Sequence, residues 1–416
     1  MKPWFSGEAF SVMHVKNFRF YLSYRILMTM ATLMQSVIVG WQIYNLTHNV
    51  LWLGFIGLVE VVPQVSISLF AGHYIDLYNR RKIVNYTTIL LILGSLILLI
   101  YSGNIGYYSE KYGTVPIFIT IFFTGFARGI LNPANVALMG QLIPRNLYAN
   151  ASIWNSASWQ VAAVMGPAIG GLVYGYWGII PAYSLVLGFY VLSFFMIMFV
   201  KSGRHDVVVS SEGVFTRIQS GISFVFKTPE LLGAFTLDMF AVLFGGAVAM
   251  LPVFASDILF AGPQGLGLLR ACPAIGATIM AFVLMFYPPV KETGKVLFIS
   301  VLGFGVSMIG FALSRSFILS GILLILSGAF DNISVVIRGT ILQLFTPDEM
   351  RGRVASVNSI FIGSSNELGA FESGVAAKLM GLVPSVVFGG FMTLAVVFTT
   401  IRLNKPLRKL SLRNKM

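Results

Sequence analysis

Apolar stretches of about 20 residues follow one another along this chain, separated by short polar breaks. Residues 83–102, IVNYTTILLILGSLILLIYS, show the pattern plainly and carry no charge. An α-helix rises about 1.5 Å per residue, so about 20 apolar residues match the ~30 Å hydrocarbon layer of a bilayer. The pattern predicts spans at 20–45, 52–75, 83–102, 115–137, 150–174, 179–200, 231–256, 265–287, 295–313, 317–338, 354–379 and 384–402. The expected fold is an all-α membrane protein with twelve transmembrane helices in two pseudo-symmetric six-helix bundles. The expected domains are a first bundle over 1–200, a cytoplasmic linker over 201–230, a second bundle over 231–402 and a basic cytoplasmic tail over 403–416.

Within the linker, Val214, Phe215, Ile218, Ile222 and Val225 recur near helical spacing, with Arg217 and Gln219 between them. Two readings fit this pattern: a short amphipathic helix at the membrane surface, or an extension of the next span. The halves also resemble each other at one offset of 203 residues. Asn155 and Ser156 align with Asn358 and Ser359, Gly166 with Gly369, Gly171 with Gly374, Gly125 with Gly328 and Pro144 with Pro347. Six-helix halves of equal topology are parallel repeats, an arrangement that transporters use to rock one half against the other around a central site.

Composition agrees with the spans: 56% of the residues are hydrophobic, 10% are charged, and the mean hydropathy is +0.83. The net charge of +13 sits in the polar breaks and not along a groove, so nucleic acid is not an expected partner. Arg80, Arg81, Lys82, Lys201, Arg204, Lys291, Lys295, Arg351 and Arg353 fall on one side of the predicted topology; little beyond Lys111, Arg315 and Lys378 falls on the other. Basic loops stay cytoplasmic, so both termini are expected in the cytosol. The N-terminal region lacks an apolar core followed by a small-residue cleavage site, so the first span is expected to act as an uncleaved insertion signal. The single cysteine, Cys272, lies in an apolar span and permits no intrachain disulfide.

The break after the second span runs Gly72-His-Tyr-Ile-Asp76-Leu-Tyr-Asn-Arg80-Arg81-Lys82. It resembles the loop motif of the major facilitator superfamily, G-x-L-x-D-R-x-G-R-R, at Gly72, Asp76, Arg80 and Arg81. Leu77 replaces an arginine of the motif. Asn79 stands where the motif has its second glycine; Asn enters left-handed backbone conformations more easily than most residues, so the tight turn is expected to be kept. Stretches around Trp41-Gln42, Leu269-Arg270 and Thr346-Pro347-Asp348-Glu349 look like the bacterial branch that includes enterobactin exporters and drug-efflux proteins. The resemblance implies the major facilitator fold and a proton-driven exporter of an amphipathic small molecule in a bacterial inner membrane. It also implies that Asp76 contacts the N-terminus of span eleven and holds a cytoplasmic gate shut. Alternatively, the basic residues merely fix topology.

Ionisable groups inside spans cost about 2.5–3.5 kcal/mol on insertion scales, so they face cavities and mark transport pathways. The acids are Glu60, Asp238, Asp331, Glu367 and Glu372; the bases are Arg25, Arg128, Arg270 and Arg338. Proton coupling needs a carboxylate whose proton affinity lies near working pH, which burial raises and a neighbouring arginine lowers. Candidates are Asp238 and Asp331, which the resemblance places on cavity-lining spans, and Arg128, which resembles the family's membrane-embedded arginine. The offset of 203 makes Arg128 and Asp331 equivalent positions, so a pair across the halves is one hypothesis; polar glue between helices is the other. Glu367 and Glu60 are further candidates, as pathway groups or as acceptors at an outer gate.

Gly166-Pro167-Ala-Ile-Gly170-Gly171 looks like the GPxxGG motif of drug:proton antiporters, a bend in a moving helix or a close packing surface. Gln35, Trp41, Gln42, Trp154 and Trp159 are candidates for lining a pocket, against the simpler reading that they pack between helices. Four scattered histidines lack metal-ligand spacing, and no Gly-rich Lys-Ser/Thr phosphate loop occurs, so neither metal, other cofactor nor ATP is expected. The expected partners are a small-molecule substrate, protons and the lipid bilayer, with a monomeric chain. An importer or uniporter of the same fold is the transport alternative; a membrane enzyme or sensor is the other, and it lacks a nucleophile–base constellation or a soluble sensory domain. Replacement Asp76→Asn is expected to leave folding intact and slow transport. Unchanged initial rates at matched protein abundance would remove Asp76 from the gate.

Overall fold

The computed structural model describes residues 10–201 and 214–412, and every stretch expected to span is helical. The first half contains α1 (Lys16–Thr47), α2 (Val50–Leu77), α3 (Arg80–Gly103), α4 (Val115–Leu142), α5 (Tyr148–Trp177) and α6 (Ile179–Met198). The second contains α7 (Pro229–Ile258), α8 (Gly262–Phe286), α9 (Thr293–Leu313), α10 (Phe317–Phe345), α11 (Asp348–Met380) and α12 (Leu382–Leu403). No strand occurs among the described residues. Ten of these helices are long and apolar enough to cross a membrane. The other two, α5 and α11, are long, at 30 and 33 residues, but rich in Ser, Asn, Gln or Glu. They occupy equivalent positions under the 203-residue offset, one in each half.

Burial along α3 is inverted relative to a water-soluble helix. Its buried face includes Thr87, Thr88, Ser95 and Ser102, whereas Tyr86, Leu93, Ile97 and Ile100 are exposed. Hydrocarbon accepts apolar side chains without penalty, while hydroxyls must turn inward and bond to their own helix. Thr88 does so, donating to the Val84 carbonyl at 2.7 Å.

Contacts group the chain into two compact units, Met1–Gln42 with Val62–Ser211, and Ile43–Val61 with Glu212–Met416. In the first unit α3 packs on α4 and α6, and α5 on α6. In the second, α10 packs on α8 and α9, and α11 on α7. Gly276 and Gly328 let α8 and α10 approach so closely that a side chain at either would collide with the facing backbone. The end of α1 and first half of α2 belong to this unit because Gly54 and Gly57 seat directly on Ala370, Phe371 and Gly374 of α11.

The repeat extends into backbone geometry. Gly178 ends α5 with φ 88° and its N–H bonded to the Tyr174 carbonyl; Gly381 ends α11 with φ 91° and its N–H bonded to Ala377. Both pairs obey the same offset, and only glycine takes that backbone conformation without strain. At the opposite end, Leu147 bonds to Pro144 and Met350 to Pro347.

The linker helix is separate from α7: it covers Val214–Lys227, Thr228 is extended, and Pro229 starts α7. Its Gly221 rests on Arg353 and Val357 of α11, and Arg353 donates to Ser220 Oγ at 3.2 Å. The basic segment after α12 is also fastened down. Asn404 donates to the Pro229 carbonyl at 2.7 Å, and the chain then runs beside the segment before α9, with Leu412 N–H bonded to Val290 and Gly294 N–H to Leu410. Leu407, Leu410 and Leu412 join the core formed by Leu231, Phe235, Ile341 and Val354. Since Leu407 is fully buried, Leu407→Ala is expected to lower stability by roughly 2–4 kcal/mol. Leu403→Ala, at a position 80% exposed, serves as the comparison and should leave the thermal unfolding midpoint in detergent unchanged.

Candidate functional site

The gating motif occupies the last turns of α2 and the start of α3. The side chain of Asp76 and the surroundings of Gly72 lie outside what is described. Asn79 keeps the turn by a different route from the expected one: its φ of −61° and ψ of 113° are extended, and its side chain accepts from the Lys82 N–H at 3.3 Å. The residue thus serves as the N-cap of α3, a role that asparagine fills and glycine cannot fill with a side chain. Arg80 donates to the Ala137 carbonyl of α4 at 3.0 Å. Arg81 donates to the Met198 carbonyl at 2.5 Å, where the last carbonyls of α6 lack helical partners and favour a cation.

Among the proton-coupling candidates, Asp238 of α7 forms an ion pair with Arg338 of α10, and both residues are about 95% buried (6% and 5% exposed). Sequence reading named both groups and did not join them. Asp331 is half-buried and lies seven residues before Arg338, about two helical turns, so the two share a face of α10. Arg270 of α8 lies within electrostatic reach of Glu367 of α11. Glu367 in turn faces Gly57, where an added Cβ would stand 3.0 Å from both its backbone and its carboxylate oxygen. The register of this antiparallel seam carries Glu60, three residues beyond Gly57, to the level of Gly363 and Ser364. In the other unit, Arg128 is half-buried on α4 near Tyr190, while Gly129 seats α4 on Gln64 and Ile67 of α2.

The pocket candidates separate. Gln42 is 1% exposed and fully engaged, donating to Ser102 Oγ at 3.0 Å and accepting from Tyr183 at 2.6 Å, which ties α1 to α3 and α6. Trp154 stacks edge-on against Phe10, with ring centroids 5.4 Å apart. Trp41 is half-buried and Trp159 is 49% exposed. Gln35 is buried, and its Oε1 has no hydrogen-bond partner among the described residues. The same holds for Asn155 Oδ1 and Gln160 Oε1 on α5, which sequence reading did not single out as pocket residues. Buried amides without partners are where water or a polar ligand binds. In the GPxxGG-like stretch, Gly166 sits on Met30 and Leu33 of α1 and Gly170 on Met34, while α5 continues unbroken through Pro167 and the buried Gly171.

Sequence reading also missed a link inside the second unit. The Tyr44 hydroxyl, near the end of α1, donates to the Asp257 carboxylate at the end of α7, and the His48 ring meets Tyr44 edge-on. Asp257 lies within a π turn over Phe254–Ile258 that shifts the register of α7. That irregularity carries no signal in hydropathy.

The model of the transmembrane secretion effector family, a branch of the major facilitator superfamily, matches residues 7–414. The chain is 21% identical over 402 residues to the staphyloferrin A transporter of Staphylococcus aureus, covering 94% of this chain and 97% of that protein. It is 22% identical over 366 residues to the enterobactin exporter EntS of Shigella boydii, covering 87% and 85%. Among solved structures, a bacterial homologue of the iron transporter ferroportin superposes with a TM-score of 0.72 at 15% identity, covering 96% of this chain and all of the other. That likeness concerns the fold alone.

Removing one member of the buried pair leaves the other charge unmatched. Asp238→Asn is therefore expected to lower stability by roughly 3–5 kcal/mol, whereas Asp238→Leu combined with Arg338→Met recovers most of the loss. Thermal unfolding of the purified variants in detergent reads both effects. A double variant no more stable than the single would show that the two charges do not compensate each other.

Proposed function

The chain belongs to the transmembrane secretion effector family of major facilitator transporters, multi-pass membrane proteins that move small molecules, and on that premise we propose that it is a proton-coupled exporter. Its cargo in this reading is an amphipathic small molecule of siderophore or drug-like class. The observation that carries the proposal is the buried Asp238–Arg338 pair, with Asp331 on the same face of α10. Membrane helices bear the cost of embedded acids where those acids act in transport, and the facing helices α7 and α10 carry the ionisable groups Asp238, Asp331 and Arg338. The likeness to an enterobactin exporter supports outward transport, whereas the likeness to the staphyloferrin A transporter leaves direction open.

In this reading the protein alternates between states open to either side of a bacterial inner membrane, as a monomer with both termini in the cytosol. Asp331 takes up a proton in one state and gives it back in the other. Substrate drives the exchange only if it binds the two states unequally. Gln35, Asn155 and Gln160 supply polar contacts to the cargo, with Trp41 and Trp154 as apolar walls. Glu60, Glu367 and Arg270 act at the α2–α11 seam, and Asp76 at the cytoplasmic gate. Arg128 sets the field on its own half.

Proteoliposomes with an imposed pH gradient test the reading, with candidate cargo first selected by thermal shift of the purified protein. Flux is expected to follow the gradient and to lose that dependence in Asp331→Asn. Flux indifferent to the gradient in the unaltered protein would favour a uniporter, and cargo moving in the same direction as protons would favour an importer.

A further inference from the structure

The start of α3 opens onto a cavity of about 330 Å³ lined by Asn79, Arg81, Lys82 and Asn85. The transport reading makes no use of this cavity. Its lining holds two cations, two amides and no acid. Arg81 spends one guanidinium nitrogen on the Met198 carbonyl, and its Nε is shielded from solvent without a hydrogen-bond partner among the described residues. Asn85 Oδ1 is in the same condition, and its amide can turn either an acceptor or two donors toward the space. The first backbone N–H groups of α3 add the positive end of a helix dipole. A guanidinium, an ammonium and amide donors around one small space are the chemistry that recognises a phosphate group.

The surface that continues from the cavity along α3 is apolar and exposed. Lys82, Tyr86, Ile89, Leu93, Ile97 and Ile100 follow one another at intervals of three or four, so they form one face of α3. Tyr86 is 70% exposed, Ile89 37%, Leu93 49%, Ile97 50% and Ile100 56%. In a membrane-spanning helix this face is covered by acyl chains. A free phosphate would use the cavity and leave the face unrelated to it, whereas a phospholipid uses both. We propose that the cavity at the start of α3 holds the headgroup of an anionic phospholipid whose chains lie along the Tyr86–Ile100 face. The Lys/Arg distribution places this end of α3 at the cytoplasmic leaflet, whose surface is negative and attracts such basic positions. The bound lipid bridges the start of α3 and the end of α6 through Arg81.

Native mass spectrometry of the purified full chain tests the assignment, with phosphatidylglycerol or phosphatidylcholine added at equal concentration. Phosphatidylglycerol is expected to be retained preferentially. A cation near the membrane surface contributes about 1 kcal/mol, or roughly fivefold in affinity, so Lys82→Gln should weaken retention by about that factor. The Lys82 side chain is exposed, so this variant does not threaten folding. Arg81→Gln with Lys82→Gln should weaken retention further, and Lys378→Gln, at an exposed position on α11, should leave it unchanged. Equal retention of both lipids, or equal loss in Lys378→Gln and Lys82→Gln, would overturn the proposal. So would displacement of the lipid by inorganic phosphate alone, which would make the cavity a site for the free anion.

Discussion

Hydrocarbon offers no hydrogen bonds, and the rest of this structure follows from that. Every backbone group in the membrane must be bonded within its own segment, which restricts the spanning elements to helices. Side-chain hydroxyls follow the same rule, as Thr87 and Thr88 turn into the interior of the first unit and donate to carbonyls of their own helix. Charges are admitted only where a partner or a wet space awaits them. Asp238 and Arg338 meet this condition by pairing with each other.

Without a hydrophobic drive between helices in lipid, close approach has to come from shape. Glycine supplies it at the tightest crossings. Gly276 and Gly328 join α8 to α10, Gly166 and Gly170 join α5 to α1, and Gly54 and Gly57 join α2 to α11. The last of these seams draws the first half of α2 into the second unit.

Several basic residues do work that their charge alone does not reveal. Arg80 and Arg81 bond to carbonyls of α4 and α6 within their own unit. Arg353 holds the linker helix to α11 through Ser220. The segment after α12 is basic by composition and held by leucine, with Leu407, Leu410 and Leu412 set into the core. Residues that the sequence offers as topology signals thus also serve as structural ties, at helix ends where unsatisfied carbonyls favour cations.

The helices, their order and the internal repeat were legible in the sequence because hydropathy and glycine spacing are local properties that lipid enforces directly. Residues 83–102 declare a span without reference to any other part of the chain, and the 203-residue offset survives in the paired turns at Gly178 and Gly381. The identities of the embedded acids and bases were legible for the same reason, since each stands out against apolar neighbours. Their pairings were not. Asp238 meets Arg338 from a helix 100 residues away, Tyr44 reaches Asp257 within a π turn, and Gln42 is consumed by Ser102 and Tyr183. Which charge faces which depends on helix rotation and crossing, and those are set by how glycines and bulky side chains of distant segments fit together. Only the packed molecule decides that.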